Sequence, residues 1–398
     1  MLALLLFKSG VMKKIGIENK GNNAGTVIPE RSENGSHSFG VTGLSNIEDV
    51  NVRGYRTPAD LLELKRELPL DSCALDNVLA SRKTIQSIFR QHDRKEDRRT
   101  VVICGPCSIH DTEAAQDYAL RLHELGKKVE DRFMLVMRAY FEKPRTGKGW
   151  KGLINEPYLD EREAINDGLK MARKLLLFNA KLGLPSATEF VDPFVPQYIS
   201  DLISWAAIGA RTVRSPTQRA IASGLSMMVG FKNDINGDIQ PAIDAVISAR
   251  SPQWFFGLNS SGKFAIIDSR GNENTHIVLR GSENGTNFDK ESVRKAQEEL
   301  HANGLESRCI IDCSHGNSGK DHTKQPGVFM DIIKQIADGN TGIFGVMLES
   351  NINEGKQKVN GNVQELKYGV SITDACIDWE TTYRIILEGY NMLSRSGF

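Results

Sequence analysis

VVICGPCSIHD, residues 101–111, starts as a run of apolar and β-branched side chains and breaks into Gly105, Pro106, Cys107, His110 and Asp111. A short apolar run bounded by turn residues reads as a buried strand. Seven further runs follow, starting near Arg132, Pro185, Ala207, Met227, His276, Cys309 and Ile343. They stop in RAYFEKPRTGKGWKG (138–152), TEF (188–190), GARTVR (209–214), GFKN (230–233), LRGS (279–282), DCSHGNSGKD (312–321) and LESN (348–351). Chemically able residues at the carboxyl ends of successive parallel strands are the one-dimensional form of a (β/α)8 TIM barrel, whose sites lie at that face. The expected fold is therefore α/β, with a single catalytic mouth.

Working outward, helical patterns fill the gaps at 112–129, 161–182, 196–205, 217–225, 241–250, 290–303, 325–338 and 373–392. Strand and helix alternate without a long polar break, which argues for one barrel domain over residues 101–398. Two stretches fall outside the repeat: a long loop at 141–160, and a β-hairpin (254–258, then 263–268) inserted before the sixth strand. Long loops in compact barrels tend to be functional. Upstream, Thr57-Pro58-Ala59-Asp60 reads as a helix start with a proline in its first turn. Val78, Leu79, Ile85, Ile88 and Phe89 fall at helical spacing. Residues 46–100 are thus expected to form a helical extension that seals the barrel bottom, forms a subunit contact or carries regulation. Residues 13–45 are polar and aperiodic, the composition of a disordered segment, and 1–45 is expected to form such an N-terminal segment.

Of the 398 residues 40% are apolar, enough for a large core, and 50 Lys+Arg balance 50 Asp+Glu. A formal charge of zero gives no general attraction to nucleic acid or an anionic membrane. Leu2–Phe7 is far short of the roughly 20 residues of a membrane span, and no basic segment precedes it as in a secretory signal. The six cysteines show no paired spacing, so reduced thiols and a cytoplasmic location are expected.

Three groups carry chemistry. Arg138, Lys143, Arg145, Lys148 and Lys151 crowd the second strand and its glycine-punctuated loop, while Arg211, Lys232 and Arg280 follow later strands. So many cations at one rim repel each other unless an anion binds, and guanidinium forks suit phosphate. The plain alternative is a solvated basic loop plus unrelated arginines. Cys107, His315, Glu349 and Asp374 offer a thiolate, an imidazole and two carboxylates, a set suited to Mn, Fe, Co or Zn rather than Mg or Ca. Spacing alone leaves that site open, because His110, His276 and His322 have the same ligand chemistry. A strand cysteine is most often a small buried hydrophobe, the role expected of Cys104, Cys309 and Cys313. Lys232, ending its strand, fits either a Schiff-base nucleophile or an ion-pair partner.

At these motifs the chain resembles the class I 3-deoxy-D-arabino-heptulosonate 7-phosphate (DAHP) synthases of the microbial and fungal, amino-acid-regulated type (type I alpha). The likeness runs from about residue 46 to 392 and includes GPCSIHD (105–111), MRAYFEKPRTGKGWKGLINEP (137–157), LPSATEF (184–190), IGART (208–212) and VGFKN (229–233). It continues through VLRG (278–281), IDCSHGNSGKD (311–321), GVMLESN (345–351) and YGVSITDACIDWE (368–380). The resemblance implies a transferase that condenses phosphoenolpyruvate with erythrose 4-phosphate, the entry to chorismate and aromatic amino acid biosynthesis. It makes Cys107, His315, Glu349 and Asp374 ligands of a divalent transition metal. Arg138, Lys143, Arg211, Lys232 and Arg280 become phosphoenolpyruvate contacts, and Arg145 and Thr146 the erythrose 4-phosphate site. It also puts Glu189 beside the reacting carbons, and the roles expected there are water orientation for Glu189 and proton traffic near the aldehyde for Lys143.

The resemblance further implies a homodimer or homotetramer, inhibited by an aromatic amino acid through the 46–95 extension and the 253–275 hairpin. Gly257, Leu258 and Asn259 look more like the tyrosine-sensitive variety than the phenylalanine-sensitive one. Three places depart from the family pattern. Val213-Arg214-Ser215-Pro216 stands where TESQ is usual after GART, which puts a cation in place of a carboxylate. DINGD follows GFKN where GTDG is usual, and Ser282 follows Gly281 where a second glycine is usual. The rival readings are a Schiff-base aldolase acting through Lys232, a 3-deoxy-octulosonate 8-phosphate synthase, which the KPRT segment disfavours, and a catalytically silent barrel.

Overall fold

The computed structural model describes residues 49–90, 97–145, 147–359 and 363–396. The expected disordered segment 1–45 lies outside them, as does Thr146. Residues 49–59 are largely exposed and carry no helix or strand, and Asp60–Phe398 forms a compact unit.

The compact unit is built on eight parallel strands: β1 (Thr100–Gly105), β2 (Phe133–Arg138), β3 (Ser186–Glu189), β4 (Trp205–Ile208), β5 (Met228–Lys232), β8 (Thr275–Leu279), β9 (Cys309–Asp312) and β10 (Ile343–Glu349). They close in the order β1-β10-β9-β8-β5-β4-β3-β2. Every barrel strand is buried along its whole length, which is why each reads as a continuous apolar run rather than an alternating one. The antiparallel pair β6 (Gln253–Leu258) and β7 (Phe264–Ser269) is inserted before the sixth barrel strand, as expected.

Helices α1 (Leu61–Glu67) and α2 (Ser72–Arg90) precede the barrel. The barrel helices are α3 (Thr112–Val129), α4 (Ile165–Leu182), α5 (Val195–Ile199), α6 (Pro216–Gly224), α7 (Gln240–Arg250), α8 (Lys290–Ala302), α9 (Gln325–Ala337) and α10 (Trp379–Arg395). Local chemistry sets their starts. The side chains of Asp111, Ser215, Asp289 and Asp378 accept backbone N–H groups at the N-termini of α3, α6, α8 and α10. Each such cap is worth about 1 kcal/mol.

Several boundaries differ from expectation. The first helix starts at Leu61, with Asp60 accepting from the Glu63 amide at 2.8 Å, so Pro58 lies ahead of it. Helix α5 is one short turn followed by a 3-10 turn, because Trp205, expected to end a helix, is the first residue of β4. The last helix begins at Trp379 rather than Thr373. Ser371, Cys376 and Ile377 make β-bridges to Lys356, Gly355 and Ser350, which keep 371–377 extended.

Helix α2 closes the barrel at the amino ends of the strands. Ile85, Ile88 and Phe89 join Trp205, Met228, Ile310 and Phe344 in one buried cluster, and the Arg308 guanidinium donates to the Ile88 and Phe89 carbonyls at 2.7 and 2.8 Å. His276 sits in this floor, its Nε2 accepting from Trp205 Nε1 at 2.9 Å, with the Phe344 ring 4.7 Å away. Burial pushes its imidazole down to about 3, so it is a neutral core residue and no part of the mouth. Gly230 makes room for that packing, since a Cβ there would stand 2.5 Å from the Trp205 ring. With the floor filled, the opposite end is the face open to a substrate.

Candidate active site

The strand ends converge on a cleft of about 540 Å³. Arg138, Lys143, Arg145, Arg211, Lys232 and Arg280 all line it, together with Glu189, His315 and Asp374. Lys148 reaches the rim, whereas the exposed Lys151 does not line the cleft and contributes its carbonyl to the Lys143 amide at 2.9 Å. Thr146 lies outside the described residues. Carboxylates are few on the lining, so the cleft is strongly cationic in a chain of no net charge.

Arg138, at the end of β2, is 1% exposed. It donates to Glu349 Oε1 at 2.9 Å and to the carbonyls of Pro106 and Cys107 at 3.2 Å, and lies over the Tyr140 ring at 3.7 Å. A guanidinium fixed on every side loses little entropy when an anion arrives. Lys232 is also buried, and its Nζ donates to Asp312 Oδ2 at 2.8 Å. Burial opposes charge on Asp312, yet Lys232 and His315 hold its carboxyl well below the usual range. Of the two roles open to a lysine at this strand end, the geometry shows the ion-pair partner, with its Nζ committed to a wholly buried carboxylate.

Cys107, Glu349 and Asp374 bring their ligand atoms within 4.8 Å of one another. Glu349 ends β10 and is fixed through its backbone, its N–H donating to Gln325 Oε1 at 2.8 Å and its carbonyl accepting from Gln325 Nε2 at 3.0 Å. Cys107 follows β1, with its thiol 3.8 Å from Asp374 Oδ2 and 3.0 Å from Lys143 Nζ. His315 stands beside this trio, Nε2 at 3.6 Å from Glu349 Oε1. Its Nδ1 lies 2.7 Å from Ser314 Oγ and 3.0 Å from Asp312 Oδ2. A carboxylate gripping one ring nitrogen and turning the other inward is the usual support of a metal-bound imidazole. His315 also has φ +57°, a backbone conformation rare for such residues and common at functional sites. The donor set thus fits a borderline divalent ion. His110 and His322 do not line the cleft and His276 packs against Phe344 in the floor, so among the described residues His315 is the histidine that lines this mouth.

Glu189, ending β3, lies against Gly209 beyond β4, where a Cβ would meet its Oε1 at 2.0 Å. Glu142, unremarked in the sequence, accepts from the amides of Val191 and Asp192 at 3.3 and 2.9 Å, and burial pushes its carboxyl up to about 8. Asp312 was likewise missed as a functional residue. Its position, three residues before His315 on a strand end, was the available signal. The two departures around 214 and 234 meet each other: Arg214 donates to Asp234 Oδ2 at 2.8 Å and to Asp238 Oδ2 at 3.3 Å. Asp234 also accepts from the Asn236 and Asp238 amides at 2.9 and 3.1 Å, shaping the turn that carries Ile235 to the cleft.

Residues 85–386 match the model of the DAHP synthetase I family. The chain is 46% identical over 345 residues to the Tyr-sensitive phospho-2-dehydro-3-deoxyheptonate aldolase of Escherichia coli, covering 87% of this chain and 95% of that protein. It is 44% identical over 348 residues to the phenylalanine-inhibited enzyme of Saccharomyces cerevisiae, covering 85% and 92%. The solved structure of the phospho-2-dehydro-3-deoxyheptonate aldolase of Francisella tularensis superposes with a TM-score of 0.82 at 45% identity, covering 87% of this chain and 98% of that one.

Proposed function

The chain belongs to the DAHP synthetase I family, and from that premise we propose that it condenses phosphoenolpyruvate with erythrose 4-phosphate and water to DAHP and inorganic phosphate. The observation that carries this reading is a cleft lined by cations, of which Arg138, Lys232 and Arg280 are buried, beside the Cys107, Glu349 and Asp374 cluster, whose Asp374 lines that cleft. Arg138, Lys143, Arg211, Lys232 and Arg280 hold phosphoenolpyruvate, and Arg145 with Thr146 receives the phosphate of the aldose. Cys107, His315, Glu349 and Asp374 hold a divalent transition ion, one of Mn, Fe, Co or Zn, which when bound supplies Lewis acidity at the aldehyde oxygen.

The residues then divide the work. Fixed cations offset the repulsion of two phosphorylated reactants and align C3 of phosphoenolpyruvate on the aldehyde carbon, forming the new C–C bond. Lys143, held charged against the opposing effect of burial by Cys107 and Glu349, gives a proton to the aldehyde oxygen. Glu189 orients the water that adds at C2 and takes its proton; cleavage of the C2–O bond releases phosphate.

The relatives named as Tyr-sensitive and phenylalanine-inhibited support an aromatic amino acid effector, tyrosine by preference. The hairpin supports assembly as a homodimer or homotetramer. It exposes Trp254, Phe256, Phe264 and Ile266 on one face, with Phe256 stacked on Phe264 at 5.4 Å, an apolar patch suited to burial against a second copy. Among the described residues no helix is long and apolar enough to cross a membrane, and we place the enzyme in the cytoplasm, without nucleic-acid partners.

The test is phosphate release from phosphoenolpyruvate with erythrose 4-phosphate or arabinose 5-phosphate, with and without EDTA and each aromatic amino acid. Expected are turnover with the four-carbon sugar alone, loss with EDTA, and a Cys107→Ala variant that neither retains metal on dialysis nor turns over. Full activity of Cys107→Ala refutes the assignment.

A further inference from the structure

The loops that follow β8 and β9 are locked to each other at the cleft rim. The amides of Gly316 and Asn317 donate to the Arg280 carbonyl at 3.0 and 3.2 Å, and the Asn287 amide donates to Asn317 Oδ1 at 2.8 Å. Asn317 Nδ2 donates to the Asp312 carbonyl at 2.9 Å. The backbones touch: a Cβ on Gly316 would stand 2.1 Å from the Ser282 nitrogen, and one on Gly281, at φ +65°, 2.6 Å from the Asn317 nitrogen. On this rigid double loop Lys320 Nζ pairs with Glu283 Oε1 at 2.7 Å. Both side chains line the same cleft as Arg211 and Arg280.

Two features of the pair call for an account. Lys320 has φ +62°, a conformation seldom adopted by a residue with a side chain. The pair is also largely exposed, at 67% and 77% for the two side chains, where an ion pair contributes little to stability. A strained backbone and a weak surface contact are better explained by what they face.

We propose that Lys320 is a further contact for the phosphate of phosphoenolpyruvate and that Glu283 is its resident counter-ion, displaced when the substrate arrives. The inference rests on reading Arg211 and Arg280 as phosphoenolpyruvate contacts. Before binding, the Glu283 carboxylate offsets repulsion within the cationic rim; Lys320 above all, with Arg280 and Arg211, holds it below the usual carboxylate range. A phosphate dianion brings more charge than one carboxylate and takes Lys320 over, whereas a weakly charged anion does not. Glu283 therefore raises the selectivity of the mouth for phosphate esters.

The two partners must then act in opposite directions, which a purely structural ion pair does not. Lys320→Met is expected to raise KM for phosphoenolpyruvate about tenfold with a smaller effect on kcat, and Lys320→Arg to recover most of it. Glu283→Gln is expected to lower that KM about threefold and to strengthen inhibition by sulfate. KM for erythrose 4-phosphate moves less in all three variants. If Lys320→Met and Glu283→Gln shift KM for phosphoenolpyruvate in the same direction, or neither shifts it by twofold, the proposal fails. Calorimetric titration with phosphoenolpyruvate separates this from the activity. An unmodified chain that binds it but makes no heptulosonate counts against the activity, while opposite Kd shifts in the variants still uphold the ion pair. Absence of binding overturns both.

Discussion

Replacing Gly209 by alanine tests the chemistry of the site through a residue that performs none. The new methyl carbon would lie 2.0 Å from Glu189 Oε1, whereas ordinary contact begins near 3.4 Å. The carboxylate must therefore retreat by about 1.4 Å. The colliding atom is the tip of a flexible side chain rather than backbone, so the barrel can absorb the change. The reaction cannot absorb it as easily, because misplacing an active group by about 1 Å can cost on the order of a hundredfold in rate. That factor corresponds to about 2.7 kcal/mol of transition-state stabilisation. The assay is steady-state phosphate release at saturating concentrations of both substrates, with Tm measured alongside. Gly209→Ala is expected to lose about 30- to 100-fold in kcat while Tm stays within about 3 °C. Glu189→Ala should fall to a similar level, and the double variant little further, because both remove one function. A Gly209→Ala enzyme keeping more than about a third of its kcat, or losses that multiply in the double variant, would refute the placement of Glu189 at the reacting carbons.

Two further predictions concern stability. His276 is buried neutral, its pKa lowered from 6.5 to about 3, so below pH 6.5 the unfolded chain binds a proton that the folded chain refuses. Stability from this group is complete above that pH and is lost as pH falls toward 3; by pH 5 one such group costs about 2 kcal/mol. His276→Gln, which keeps an acceptor for Trp205 Nε1, should lose about that much less than the parent between pH 7 and 5 in urea unfolding, and equal losses would contradict the neutral assignment. Arg214→Glu sets a carboxylate against Asp234, and the amides of Asn236 and Asp238 should exchange hydrogen about tenfold faster. Adding Asp234→Asn should restore most of the protection, and unchanged exchange in Arg214→Glu would show that the ion pair does not hold the turn.

Much of this architecture was readable in one dimension because it follows from burial and short-range chemistry. Strands such as Val101–Gly105 are enclosed on both faces, which makes them unbroken apolar runs, and α3 begins at Thr112 because Asp111 caps it. What escaped depended on contacts between distant segments. Thr373 looks like a helix start, yet bridges to 350–356 hold that stretch extended. No spacing rule separates His315 from His276; only closure of the barrel puts one beside Glu349 and the other against Phe344. Asp312, Glu142 and Lys320 stood inside legible motifs without a role, since each acquires one from a residue on another strand or loop.

The contact between Arg214 and Asp234 links two stretches that each break the family pattern on their own. The loops after β4 and β5 are therefore coupled through one ion pair. A chimera that imports a relative's segment at 213–216 alone would strand the Asp234 carboxylate, almost wholly enclosed, without its counter-charge. Anyone recombining this scaffold with its relatives should therefore move the two loops together, and place crossover points outside 209–238.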